Sequence, residues 1–154
     1  MRAPVVTEML VIPVADTAFL DPTRKSEYQD RGVILYGHAD CNAAWPALLG
    51  HCPVQVMRGR TTIGTRDLIG DDLACLFVYP RLDSERALIG VVSGTGMTGL
   101  RLTERLPYFI SGVAYPDCAV FRARTLEQET TGVAVAGFFG ADWSVDSGEF
   151  AWRE

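Results

Sequence analysis

A chain of 154 residues, 48% of them hydrophobic and 21% charged, has an ordinary globular composition and enough length to bury a core. Its formal net charge of -5, with no basic block against it, argues against nucleic-acid phosphate as a partner. No apolar run reaches the ~18 residues of a membrane-spanning helix, so no membrane partner is expected, and Met1-Arg2-Ala3-Pro4 lacks the apolar core of a signal peptide, so export is not self-evident from this chain.

In chain order, Val5 to Val14 is apolar and β-branched with Pro13 near its end, which suits an edge strand. Asp16 to Asp30 is polar and contains Asp21-Pro22, a surface loop or short helical turn. Gly32 to Tyr36 reads as a short buried strand that breaks at Gly37. A helix is expected from Cys41 to Leu49, capped by Asp40 and ended by Gly50. Val54 to Arg58 and Thr61 to Ile63, separated by Gly59-Arg60, have the spacing of a β-hairpin with a two-residue turn.

Leu73 to Tyr79, Ala87 to Val92, Cys118 to Ala123 and Val133 to Phe139 read as strands, with a helix from about Met97 to Arg105. Several of these strands are apolar on both faces, the mark of a parallel sheet covered by helices on each side. The expected fold is therefore a three-layer α/β sandwich with a mainly parallel sheet, flavodoxin-like or Rossmann-like, carrying one β-hairpin. The aromatic segment from Phe138 to Trp152 is expected to dock on the end of the sheet.

In such a sheet, ligands bind beyond the carboxyl ends of the strands. Two strand-to-helix joins therefore define a candidate crevice: His38, Asp40 and Asn42 after the first, and Ser93, Gly94, Thr95 and Gly96 after the second. All should lie at one sheet edge. Gly94-Thr95-Gly96-Met97-Thr98-Gly99 matches G-x-G-x-x-G, but the following strand ends in Arg122-Ala123-Arg124 rather than in a ribose-binding acid. The preferred reading is a tight turn that needs small residues, with no cofactor.

Ser93 sits where a hydrolase nucleophile would, yet Val91-Val92-Ser93-Gly94-Thr95 lacks the leading glycine of the nucleophile elbow. His38 precedes Ser93, the reverse of the order in such hydrolases. The second histidine, His51, suits a helix C-terminus. Asp71-Asp72, Asp142 and Asp146 lack the spacing of a metal site, so no metal is expected. Cys41, Cys52, Cys75 and Cys118 form no C-x-x-C pair and read as free thiols.

Four runs resemble the C-terminal region of large bacterial proteins of the prolyl-oligopeptidase-like or α/β-hydrolase-like type. They are Val33 to Trp45, Gly70 to Phe77, Arg101 to Phe109 and Gly137 to Ser144. The resemblance spans roughly residues 12 to 154. It implies an accessory α/β domain, a single unit over residues 1–154 that is shorter at its N-terminus than its relatives. It also implies asparagine at the place of His38 and glycine at that of Ser93 in those relatives, which counts against a triad. The relatives are often exported.

The expectation is a non-catalytic accessory or interaction domain. The alternative is a small-molecule-binding or hydrolytic domain that uses the crevice. The expected partner is a second copy of the chain, through Val5 to Val14 or the aromatic tail around Trp143 and Trp152, or a covalently linked hydrolase-like domain.

Overall fold

The structure is a computed structural model and describes residues 11–108, 112–123 and 132–153. It begins irregularly. Residues 11–14 form no strand, and Val11 and Ile12 are more than half exposed. The expected edge strand is thus corrected over 11–14, where Pro13 lacks a ladder donor; its part from 5 to 10 lies outside the described residues. Three short helical pieces follow: α1 (Asp16–Phe19), a 3-10 turn (Pro22–Arg24) and α2 (Lys25–Tyr28). Arg81, only 4% exposed, pins them. Its guanidinium donates to the carbonyl oxygens of Tyr28 and Arg31 at 2.8 and 2.7 Å and forks onto the Asp83 carboxylate at 2.9 and 2.7 Å.

The body is a six-stranded sheet ordered β1-β6-β5-β7-β8-β9. Its strands are β1 (Val33–Tyr36), β5 (Ala74–Pro80), β6 (Leu88–Gly94), β7 (Cys118–Phe121), β8 (Val133–Phe138) and β9 (Glu149–Trp152). A separate antiparallel sheet holds β2 (Val54–Met57), β3 (Arg60–Ile63) and β4 (Arg66–Ile69). The two longest helices described are α3 (Trp45–Leu49) and α4 (Met97–Thr103).

This corrects the expected mainly parallel, flavodoxin-like or Rossmann-like α/β sandwich. Among the described residues only β1 and β6 pair in parallel; the other four pairings of the large sheet are antiparallel. The reason lies in chain length. β5 and β6 are joined by residues 81–87 alone, whereas a parallel crossover takes roughly a dozen residues or more. The two strands must therefore form a hairpin. β1, β6 and β7 do run in one direction, but β5 is inserted against them.

Two-sided burial has a different cause from the one inferred. One face of the large sheet carries Cys75, Phe77, Tyr79, Ile89, Val91, Cys118, Val120 and Val135. It is covered by the small sheet, α3 and the aromatic tail rather than by a helical layer. Trp45 of α3 is 1% exposed and meets Phe77 edge-on, with ring centroids 6.3 Å apart. The tail docks through Phe139, Trp143, Phe150 and Trp152, and Arg66 of β4 stacks over the Trp152 ring at 4.0 Å. Each large side chain buried here is worth about 1.5–3 kcal/mol, so this layer dominates the stability.

The opposite face carries a smaller cluster of Ala74, Leu76, Val92, Ala119 and Phe121 under Leu102 of α4. Leu106, Tyr108 and Tyr115 pack around it. Strand alternation puts Val78, Pro80, Leu88 and Phe138 on this same face, beyond the buried cluster. There Val78 and Pro80 are half-buried, and Leu88 and Phe138 are 45% and 55% exposed.

Candidate functional site

The parallel pair sets the geometry. Tyr36 is in register with Val92, and the N–H of Gly37 donates to the Val92 carbonyl at 3.1 Å. The loops after β1 and β6 therefore leave the same edge of the sheet. Gly37 has φ of +96°, a backbone conformation that favours glycine. A Cβ there would also meet the Cys41 sulfur at 2.9 Å.

The first loop is closed on itself. The His38 carbonyl accepts from the N–H groups of Cys41 and Asn42 at 3.0 and 3.1 Å. The His38 N–H donates to the Cys41 sulfur at 3.3 Å, and the thiol donates back to the His38 carbonyl. His38 Nδ1 accepts from the Asp40 N–H at 3.3 Å. Asn42 donates its amide to the Tyr36 carbonyl and accepts from the Ala44 N–H, both at 3.0 Å.

The helix therefore starts at Trp45 rather than at Cys41, and Asp40 does not cap it. Proline is tolerated only in a helix's first turn, because it lacks the N–H that later turns need. Pro46 thus excludes a start at Cys41. Asp40 instead turns to the hairpin, where its Oδ2 accepts from the Arg58 N–H at 2.8 Å. The Ala39 N–H donates to the Val56 carbonyl at 2.9 Å. The hairpin turn itself consists of Arg58-Gly59, one residue earlier than the spacing suggested.

The second loop is buried. Thr95 is fully buried; its N–H donates to the Leu73 carbonyl at 3.0 Å, and its hydroxyl accepts from the Leu73 N–H at 3.2 Å. Its carbonyl accepts from the Gly59 N–H at 2.8 Å. The glycines of the G-x-G-x-x-G run admit protein rather than phosphate. A Cβ on Gly94 would lie 2.3 Å from the Leu100 nitrogen, one on Gly96 2.5 Å from the Asp71 carbonyl oxygen, and one on Gly99 2.0 Å from the Leu73 carbonyl oxygen.

Ser93 is also fully buried, on the face that carries Ile89 and Val91. It stands opposite Cys75, whose sulfur lies 3.1 Å from the Thr61 hydroxyl. The Ser93 hydroxyl has no hydrogen-bond partner among the described residues. Ser93 lies within β6 rather than in the loop after it; that strand end and the His38 loop share an edge, but the two side chains do not form a nucleophile–base pair. The His38 ring bonds to its own loop, while Ser93 is sealed between the sheets.

Burial also governs the thiols. It pushes Cys52 and Cys75 up to about 12, and raises Cys118 well above the ordinary thiol value, with Cys75, Cys52 and Asp117 nearby adding to the rise. All four cysteines are free, and Cys41 is the exposed one. His51 is exposed, with its ring 6.5 Å from that of Tyr79. Asp72 accepts from the Ala123 N–H at 3.2 Å and lies 3.6 Å from Arg122. Asp142 is held down to about 2 by bonds from the Ser147 hydroxyl and the Ser144 N–H and side chain. Among the described residues no three His, Cys, Asp or Glu side chains converge on a metal position. None of the helices described is long and apolar enough to cross a membrane.

Two features at this edge escaped the sequence reading: the docking of the hairpin turn on both loops, and the role of Leu73. No protein-family model, no curated protein and no solved structure matches this chain.

Proposed function

We propose that this chain is a non-catalytic interaction domain that pairs with a second copy of itself through the half-covered face of its large sheet. One observation carries the reading. Asp40 is bonded to the hairpin turn, Thr95 to that turn and to Leu73, and Ser93 and Thr95 are fully buried. That edge is built as a structural joint, and the buried Ser93 hydroxyl is out of a substrate's reach.

The opposite face favours association. Leu88 and Phe138 are large, apolar and exposed, and the half-buried Val78 and Pro80 lie on the same face. Exposed apolar groups that share one face favour burial against a partner. A two-fold pair would bury both copies of the patch at once. The resemblance to C-terminal regions of larger hydrolase-like proteins suggests a competing occupant, a covalently attached neighbouring domain.

Light scattering of the purified chain over a dilution series tests the reading. The expected mass falls from near twice 16.8 kDa toward 16.8 kDa on dilution. A mass of 16.8 kDa at every concentration would refute self-pairing and leave the attached domain as the occupant.

A further inference from the structure

We draw no further inference here: the strongest candidate, the exposed Cys41 thiol beside His38 and Asp40 in the loop after β1, is a lone cysteine whose sulfur bonds to the His38 backbone, and nothing else at that place points to a ligand.

Discussion

The carboxylate of Asp40 accepts a hydrogen bond from the backbone N–H of Arg58 at 2.8 Å, eighteen residues along the chain. This contact joins the loop after β1 to the turn of the small sheet. It assigns Asp40 to structure, where the sequence suggested a helix cap or a crevice ligand. Asp40→Ala removes a charged acceptor from a half-exposed place, so stability should drop by about 1 kcal/mol. Urea unfolding should show a lower midpoint with an unchanged slope. An unchanged midpoint would show that the joint does not depend on this bond.

Gly99 and Gly59 make a paired test of close packing. Alanine at Gly99 would drive its Cβ to within 2.0 Å of the Leu73 carbonyl oxygen, a clash with backbone. The expected loss is at least about 2–3 kcal/mol, although alanine is the better helix former by roughly 1 kcal/mol. Gly59 has φ of +74° and nothing within 4 Å of the added Cβ, so its alanine variant pays for backbone strain alone, about 1 kcal/mol. Thermal melts of the two variants rank them. Equal losses would mean that the glycine run is not packed against Leu73.

Ser93→Ala separates a nucleophile from a buried residue. Removing a hydroxyl that is buried without a described partner should be neutral or slightly stabilising. The wild-type chain should show no hydrolysis of a generic ester. Ester hydrolysis that disappears in Ser93→Ala would overturn the non-catalytic reading.

The thiols give a pH-dependent test. In the native chain a thiol reagent should titrate Cys41 rapidly, and Cys52, Cys75 and Cys118 only on unfolding. Cys52 and Cys75 rise from 9.0 to about 12 on folding. The folded state thus binds their protons more tightly than the unfolded state. Their contribution to stability is complete below pH 9.0 and is lost as pH rises toward about 12. Unfolding midpoints measured from pH 8 to 10.5 should fall over the upper part of that range. They should fall less in Cys52→Ala and Cys75→Ala.

Much of the large sheet was legible, because Val33 to Tyr36, Leu73 to Tyr79 and Ala87 to Val92 are continuous apolar runs. Strand direction was misread because two-sided burial does not distinguish covering helices from a covering sheet. The short link between β5 and β6 was the overlooked evidence. β4 and β9 went unread for another reason. Arg66-Asp67-Leu68-Ile69 is an edge strand with three of its four residues exposed, and Glu149-Phe150-Ala151-Trp152 buries only its aromatic side in part. The loops after β1 and β6 leave one edge of the sheet, with Ser93 and Gly94 still inside β6. Their employment was not legible, because it depends on the hairpin turn folding back over them.

Sedimentation of two lysine variants tests the central claim most directly. Leu88→Lys with Phe138→Lys places charge on the half-covered face. Ile69→Lys alters a side chain that is 65% exposed on β4, in the small sheet that covers the other face. Far-ultraviolet circular dichroism should show both variants folded like the wild type. The account predicts that the first variant sediments as a monomer of 16.8 kDa at concentrations where the wild type and the second are paired. Pairing that survives in the first variant, or is lost equally in both, would contradict it.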